Sequence, residues 1–199
     1  MKIAIILKAP KLDVPVCESH VIYADGAYAY REGVGDKVVL AVVGDFDSLS
    51  TPPKNENNII LNEEKDFTDG ERAVRFAKEY GAEEVVIYGA NGGKLEHVLG
   101  NVALLKIASD IGLKAQIKDA RSITRLIDGK VELKIKTGAK LSLIPYGGNA
   151  KFVSSRGLYY KLDGLTLTPA DTVGISNYAV AENVEIEIKK GQALMIYEY

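Results

Sequence analysis

Two aspartates two residues apart follow an apolar run in the first quarter of the chain. The run Val38–Val43 is followed by G-D-F-D-S at residues 44–48. If this segment is extended, the side chains of Asp45 and Asp47 project to the same side. Such a pair can hold Mg²⁺, which binds a few carboxylates together with substrate phosphates. The same letters also fit a turn in which Asp and Ser bond to their own backbone, so both interpretations stay open.

A second acidic group, K-D-F-T-D at residues 65–69, opens a helical pattern. Asp69 would complement the helix dipole from the first turn, and Asp66 fits a solvated loop equally well. Lys65 has no capping role, and a lysine beside carboxylates can contact phosphate oxygens as a point charge. Together with the first pair, these residues would place four carboxylates and one cation along one edge of the predicted sheet. Asp25, which follows another short apolar run, fits a further acidic ligand or an ordinary N-cap.

The third candidate segment is G-A-N-G-G-K-L-E-H at residues 89–97. Small residues between a strand and a helix let backbone N–H groups approach an anion, which the helix N-terminus favours. The segment is not a Walker P-loop, because Tyr88 and Leu95 stand where that motif requires Gly and Ser or Thr. A tight turn explains the same residues, and His97 alone fits an ordinary helix histidine.

Short apolar runs and helical patterns alternate through the first 120 residues. The runs predict strands buried on both faces, at Ile3–Leu7, Val38–Val43, Val85–Tyr88 and Ala115–Ile117. Between them lie two predicted helices. Alternation of this kind predicts an α/β domain with a parallel sheet, layered in the Rossmann manner, and ligands gather at the carboxyl ends of its strands.

The first predicted helix covers Thr68–Tyr80, with Ala73, Ala77 and Tyr80 on one face. Its start has the T-x-x-E pattern of a capping box, and Gly81 suits the position after its end. The second covers Leu95–Ile111, and its predicted apolar stripe includes Leu99, Val102, Ala103, Leu105 and Ile107.

After residues 119–122 the helical period disappears. Strand-like runs alternate with turn residues. The runs are Val131–Ile135, Ala139–Ile144, Ala150–Ser154, Val184–Ile188 and Ala193–Tyr197, with turns predicted at 128–129, 137–138, 147–149 and 190–191. In V-E-L-K-I-K, residues 131–136, apolar and charged side chains alternate as on a half-buried strand. Residues 121–199 are therefore predicted to form an all-β antiparallel sandwich or barrel, following an α/β domain over residues 1–120.

Composition narrows the function classes. The chain has 199 residues, 47% of them hydrophobic, with 25 basic against 27 acidic side chains and a net charge of −2. Near-neutral charge without long like-charge runs argues against nucleic-acid binding. No run is long and apolar enough for a membrane span, and the first apolar run is too short for a signal peptide. The single cysteine, Cys17, and the absence of a zinc-type Cys/His pattern favour a reducing cytoplasm.

The motifs in their order resemble the thiamine pyrophosphokinase family. The matching segments are A-D-G-A (24–27), G-D-F-D-S (44–48), K-D-F-T-D (65–69), G-G-K-L-E-H-V-L-G-N (92–101), G-L-Y-Y-K-L (157–162) and S-N (176–177). The resemblance implies an enzyme that transfers a diphosphate from ATP to the hydroxyl of thiamine, with AMP as the second product. It also implies a Mg²⁺ requirement and a homodimer with active sites at the subunit junction. The first domain would be catalytic and bind ATP and metal, and the second would bind thiamine and support dimerisation.

The resemblance also implies roles for individual residues. Asp45, Asp47 and Asp69 would be the principal metal ligands and, with Asp25, the catalytic carboxylates. The ATP-binding set would be Lys65, Asp66, Thr68, Asn91, Gly92, Gly93 and Lys94. The acceptor-binding set would be Glu96, His97, Asn101, Ser176 and Asn177, with the last two acting across the dimer.

Two residues depart from the family's G-G-R-x-D-H motif. Lys94 stands for Arg and lacks the planar fork that grips phosphate bidentately, while Glu96 stands for Asp and carries its carboxylate one methylene further out. Because of these exchanges, a second hypothesis for the acceptor stays open: another hydroxyalkyl heterocycle, such as a hydroxymethylpterin, in place of thiamine. A non-catalytic thiamine or nucleotide sensor is the third hypothesis. Tyr178, next to Ser176 and Asn177, is expected either to stack on a cationic acceptor or to be an ordinary strand aromatic.

Overall fold

The computed structural model describes residues 1–46, 58–60 and 66–199, which divide into two compact units, 1–120 and 121–199. The division falls where helical patterns stop in the sequence. No helix in the described part of the chain is long and apolar enough to cross a membrane.

Parallel strands form the sheet of the first unit. Among the described residues they pair in the order β4-β3-β2-β1-β5-β6, and every pair is parallel. The last four residues of β1, β2 and β5 are buried, as expected for strands covered on both faces. The strands are β1 (Lys2–Ile6), β2 (His20–Ala24), β3 (Val38–Gly44), β4 (Asn58–Ile60), β5 (Glu84–Tyr88) and β6 (Lys114–Lys118).

Two of these strands, β2 and β4, were not among the predicted ones. Each is short, and an apolar run of two or three residues carries no periodicity that separates a strand from a loop. β2 matters most, because it pairs with both β1 and β3 and places the residue after it, Asp25, at the carboxyl edge of the sheet. Asp25 opens a 3₁₀ helix, Asp25–Tyr30, which continues into the short helix α1, Arg31–Val34.

The helix α2 (Asp69–Glu79) begins where the sequence predicts it. The Thr68 hydroxyl accepts a hydrogen bond from the Glu71 N–H at 3.2 Å, which is the N-cap half of the predicted box. The Glu71 carboxylate instead bonds to Arg75, so the reciprocal half is absent. The predicted apolar face is wrong at Tyr80, which is 49% exposed, because the buried face consists of Gly70, Ala73, Val74 and Ala77.

The helix α3 (Leu95–Asp110) is buried only in its second half. Leu104, Leu105 and Ala108 are buried, and the helix packs against α2 and β6. Leu99 is 61% exposed, so its predicted place in the apolar stripe is wrong. The residues of the first turns, 95–97 and 99–100, are exposed, so the apolar pattern continues onto a part of the helix that is not buried.

Antiparallel strands form the second unit. Two long strands, β9 and β12, pair with each other along most of their length, and the shorter strands pair with one or the other. The strands are β7 (Ser122–Ile127), β8 (Lys130–Lys134), β9 (Lys140–Arg156), β10 (Thr166–Leu167), β11 (Asn177–Tyr178) and β12 (Asn183–Glu198). The predicted alternation along V-E-L-K-I-K is confirmed: Ile135 is buried and the three charged side chains are exposed.

The turns predicted at 147–149 and 190–191 are wrong, because both segments lie inside long strands. The pairing between β9 and β12 shifts register between Glu187 and Gln192, but neither strand turns back there. Gly191 has φ of +85°, and a Cβ there would lie 2.0 Å from the Asn149 carbonyl oxygen. The glycines therefore mark bulges, where an extra residue bends a strand without ending it.

Candidate active site

Asp25 lies at the carboxyl end of β2, against the backbone of β3. It has φ of +42°, a left-handed conformation that aspartate tolerates better than most residues. A Cβ on Gly44 would lie 2.8 Å from the Asp25 Cβ and 3.1 Å from its Oδ1, so only glycine fits beneath this carboxylate. Oδ1 of Asp25 is buried. The predicted N-cap alternative is wrong, since Ala24 holds the N-cap position and Asp25 is the first residue of the 3₁₀ helix.

Asp45 follows Gly44 directly and is half-buried at the end of β3. The contact between Asp25 and Gly44 therefore brings Asp25 and Asp45 to neighbouring positions at one edge of the sheet. Phe46 is 8% exposed with φ of +62°, so the segment is not extended there, contrary to the condition on which the metal interpretation of the pair depended. Asp47 lies outside the described residues, and its place beside Asp45 stays a prediction.

Residues 66–69 lead into α2. Asp66 and Thr68 are exposed, and Thr68 caps the helix. Asp69 is half-buried in the first turn, where its charge complements the helix dipole. Lys65 lies outside the described residues. In the ranges 1–46, 58–60 and 66–199, no three His, Cys, Asp or Glu side chains form a group suited to a metal.

The Thr68 cap supports the start of α2. Thr68→Ala is expected to lower the free energy of unfolding by about 1 kcal/mol, because it leaves the Glu71 N–H without its side-chain acceptor. Urea denaturation followed by circular dichroism measures the change. Thr68→Ser keeps the hydroxyl and should stay close to the wild type; an equal loss in both variants would contradict the capping role.

The glycine segment between β5 and α3 starts with a close backbone contact. Gly89 has φ of +70°, and a Cβ there would lie 2.2 Å from the carbonyl oxygen of Leu7, the residue after β1. Gly92 also has positive φ, +85°, and Gly93 and Lys94 are exposed. Lys94 precedes α3 and has no acceptor with which to cap it, so the first N–H groups of the helix face this segment.

Two asparagines brace the glycine segment. The Asn101 side chain donates to the Ala90 carbonyl at 2.9 Å, and the Asn91 side chain donates to the Asp119 carboxylate at 2.8 Å. Both amides therefore hold loop conformation, whatever further contacts they make with a ligand. Glu96 and His97 are exposed in the first turns of α3, on the half of the helix that the core does not cover.

Tyr88, the last residue of β5, is fully buried and donates to the Glu18 carboxylate at 2.8 Å. Burial, and then the bond to Glu18, raise the pKa of this hydroxyl far above its usual value. Burial likewise raises the pKa of Tyr23 to about 12. Both phenols stay protonated at neutral pH, so neither tyrosine serves as a general base.

The second unit carries the other two predicted site residues. Ser176 is exposed with φ of +63°, and its N–H donates to the Ser142 hydroxyl. Asn177 is only 4% exposed. Its amide oxygen accepts from the N–H groups of Tyr160 and Tyr178, and its amide nitrogen donates to the Tyr160 carbonyl at 2.7 Å. Asn177 is thus a bracket for the Tyr160 backbone rather than an open ligand-binding group.

The bracket holds a surface cluster of three tyrosines, which we call the tyrosine cluster: Tyr159, Tyr160 and Tyr178. The rings of Tyr159 and Tyr178 stack with centroids 4.7 Å apart, and Tyr160 meets Tyr159 edge to face at 4.9 Å. Tyr159 and Tyr160 are 56% and 60% exposed. Sequence reasoning singled out Tyr178 and missed the other two, although two adjacent tyrosines in G-L-Y-Y-K-L were a visible signal.

Comparison with known proteins covers both units. The family model described as thiamin pyrophosphokinase, catalytic domain, matches residues 17–117, and the model of the vitamin B1 binding domain of the same enzyme matches residues 130–193. The chain belongs to the thiamin pyrophosphokinase family. The predicted resemblance is confirmed, and the catalytic-domain match contains Asp25, Asp45 and the start of α2.

Individual relatives of the thiamin pyrophosphokinase family agree. The thiamine pyrophosphokinase of Bacillus subtilis (strain 168) is 26% identical over 161 residues, 77% of this chain and 75% of that protein. Thiamin pyrophosphokinase 1 of Caenorhabditis elegans is 23% identical over 154 residues, 72% of this chain but 63% of that protein, under two thirds of its length. The crystal structure of the Bacillus subtilis enzyme shares the fold, with a TM-score of 0.88 at 23% identity, covering 100% of this chain and 99% of the other.

Proposed function

We propose that this chain transfers a diphosphate group from ATP to the hydroxyl of thiamine, giving thiamine diphosphate and AMP. The observation that carries the proposal is the contact of Asp25 with Gly44 beside Asp45, which joins two predicted site carboxylates within the segment that matches the catalytic-domain model. Transfer of a phosphoryl or diphosphoryl group needs charge neutralisation and alignment more than covalent work by the protein.

The carboxylates suit Mg²⁺ as a partner of ATP. They are hard oxygen donors at the carboxyl edge of a parallel sheet, where ligands bind, and a Cβ on Gly44 would fill the space beneath Asp25. We propose Asp45, Asp47 and Asp69 as the residues that would hold the metal, with Asp25 beside them. When bound, Mg²⁺ would neutralise phosphate charge and orient the polyphosphate.

The glycine segment supplies the second half of the site. The exposed backbone of Gly92 and Gly93 and the first N–H groups of α3 would bind phosphate oxygens, and the dipole of the helix favours the anion. Lys94 would add a point charge there. Lys65, Asp66, Thr68 and Asn91 complete the proposed ATP-binding set. An aspartate of the edge, Asp69 or Asp25, would orient the acceptor hydroxyl for attack on the β-phosphorus.

The second unit would bind the acceptor. Thiamine carries a cationic aromatic ring, and exposed aromatic faces attract such cations. The tyrosine cluster offers them, and the Asn177 bracket fixes the backbone of Tyr160 before a ligand arrives. We propose Ser176, Glu96, His97 and Asn101 as further acceptor-binding residues. The homodimer implied by the family resemblance, with active sites at the subunit junction, and a cytoplasmic location belong to the same proposal.

The antiparallel unit is proposed to be a β-sandwich. One half of β12 pairs with β8 and the other half with β7, and β9 divides in the same way between β10 and β11. Buried side chains from both halves join one core cluster, for example Phe152 and Ile186 with Leu143 and Met195. Two layers around a shared core explain this pattern.

Incubation of the purified chain with ATP, Mg²⁺ and an acceptor tests the function. We expect AMP and thiamine diphosphate with thiamine, and neither AMP nor a diphosphorylated product with 6-hydroxymethylpterin, as resolved by ion-exchange chromatography. Formation of AMP with the pterin and not with thiamine would show that the acceptor is a hydroxymethylpterin instead of thiamine. Binding of ATP and thiamine without AMP over hours would instead indicate a sensor.

The tyrosine cluster makes a separate prediction. Tyr160→Ala is expected to raise KM for thiamine about tenfold, which corresponds to the loss of a cation–π contact of some 1–2 kcal/mol, and to leave KM for ATP unchanged. Steady-state kinetics with each substrate varied in turn measures both constants. Tyr160→Phe keeps the ring and should stay near wild type. Tyr80→Ala removes another half-exposed tyrosine and serves as the control; an equal rise in that variant would contradict the role of Tyr160.

A further inference from the structure

Lys8 stands at the topological switch point of the parallel sheet. From β1 the chain adds β2, β3 and β4 on one side, and then returns to place β5 on the other side of β1. In sheets of this kind the crevice at the carboxyl ends of the strands, at the point where the order reverses, is where ligands bind. Lys8 is exposed and lies two residues beyond the end of β1.

The two candidate halves of the site lie on opposite sides of β1. The glycine segment follows β5 on one side, and Asp25 and Asp45 follow β2 and β3 on the other. The ends of β5 and β3 are three strand spacings apart, about 14 Å. A polyphosphate that contacts both the start of α3 and a cation held by the carboxylates must therefore cross the end of β1.

The Lys8 side chain is held at this edge. Its ammonium lies 4.6 Å from the centre of the Tyr30 ring. The Tyr30 hydroxyl donates to the carbonyl of Ala9, which ties the loop after β1 to the end of the 3₁₀ helix that Asp25 opens. On the other side, the Leu7 carbonyl contacts Gly89 so closely that no side chain fits there. The loop that carries Lys8 is thus fixed between the two halves.

We infer that Lys8 binds the polyphosphate of ATP between the glycine segment and the carboxylates, and that the Tyr30 ring holds its ammonium in the absence of nucleotide. An ammonium donates in three directions and binds phosphate as a point charge. A cation–π contact at an exposed site is weak, so the ammonium can leave the ring for a phosphate oxygen at little cost. The inference rests on the proposed use of ATP, and it assigns to Lys8 a phosphate contact that the sequence motifs did not indicate.

Isothermal titration of the full chain with ATP in Mg²⁺ buffer, with thiamine omitted, tests the inference without turnover. Lys8→Met is expected to weaken ATP binding about 10- to 100-fold, the range for loss of a charged hydrogen bond, and to leave adenosine binding unchanged. Lys8→Arg keeps the positive charge and should recover most of the affinity. In turnover, the same loss should appear in KM for ATP and not in KM for thiamine.

Lys2→Met is the matched control. Lys2 lies at the amino end of β1, whereas Lys8 lies beyond its carboxyl end, and Lys2 pairs with Glu84 at 2.9 Å. The Lys2→Met variant should bind ATP with the affinity of the wild type. The inference is overturned if the affinity of Lys8→Met for ATP is within twofold of the wild-type affinity. It is also overturned if the affinity for adenosine falls by the same factor as the affinity for ATP. Should Lys8→Met fail to fold, Lys8→Gln is measured by the same criterion.

The titration separates this inference from the proposed function. Wild-type chain that forms AMP with thiamine, alongside a Lys8→Met variant with unchanged ATP affinity, would overturn the inference alone. A different outcome is also possible: the wild-type chain makes no AMP, and Lys8→Met binds ATP more weakly than the wild type. That outcome would overturn the proposed function and support the phosphate contact.

Discussion

Asp45→Asn is expected to lower kcat for AMP formation about 100- to 1,000-fold, the range seen when one preorganised electrostatic group is removed from an active site. Asparagine has the shape of aspartate without the charge, so the variant removes the attraction for a divalent cation and keeps the volume of the side chain. Asp45 is only half-buried at the end of β3, and its neighbour Gly44 still accommodates Asp25. The free energy of unfolding should therefore change little, as measured by urea denaturation.

Asp36→Asn gives the matched control for this prediction. Asp36 is exposed and lies before the amino end of β3, whereas Asp45 lies after its carboxyl end. Both variants lose one charge next to an end of β3, but only the carboxyl end lies on the ligand-binding edge of the sheet. Asp36→Asn should keep full activity. Full activity in Asp45→Asn at saturating Mg²⁺ would contradict a metal role and favour the turn interpretation of G-D-F-D-S.

Gly89→Ala is expected to have the largest effect on stability, about 3 kcal/mol or more. Its Cβ would lie 2.2 Å from the Leu7 carbonyl oxygen, and φ of +70° adds strain for any residue with a side chain. The nearest obstacle is backbone of the central strand, which cannot rotate away as a flexible side chain would. The hydrogen bond from the Leu7 N–H to the Tyr88 carbonyl, 2.9 Å long, lies at the same point and should weaken.

Urea denaturation of Gly89→Ala, followed by circular dichroism, measures this loss. Gly33→Ala is the control, because a Cβ on Gly33 would meet no atom within 4 Å, and this glycine lacks positive φ and lies in the short helix α1. That variant should be neutral or slightly stabilising. A loss below 1 kcal/mol in Gly89→Ala would show that the β1 and β5 backbones separate easily, and would weaken the case for a fixed crevice at the switch point.

Local signals in the sequence were reliable where a short segment determines its own structure. The Thr68 cap, the start of α2 and the alternation along residues 131–136 depend on neighbours three or four residues away, and all three are confirmed. The buried runs of β1, β3 and β5 were also predictable, because a strand covered on both faces must be apolar throughout. The family resemblance rested on motif order, which sequence alone supplies.

Local signals misled where the environment of a segment decides its role. Glycines at 147–148 and 191 have the composition of turns, but pairing of β9 with β12 makes them bulges inside long strands. Leu99 continues an apolar pattern, but only the second half of α3 is buried, so the side chain is exposed. Periodicity states which residues share a face, and not what covers that face.

The amino-acid sequence by itself determined which residues could do chemistry: acidic side chains after apolar strands, a glycine segment before a helix, and the order of motifs that places the chain in its family. Only the tertiary structure decided which of them meet. Asp25 meets Gly44, the neighbour of Asp45, because β2 inserts between β1 and β3, and Lys8 stands between the two halves of the candidate site because β5 returns to the far side of β1. Strand pairing joins residues tens of positions apart, and that adjacency leaves no local periodicity in the sequence.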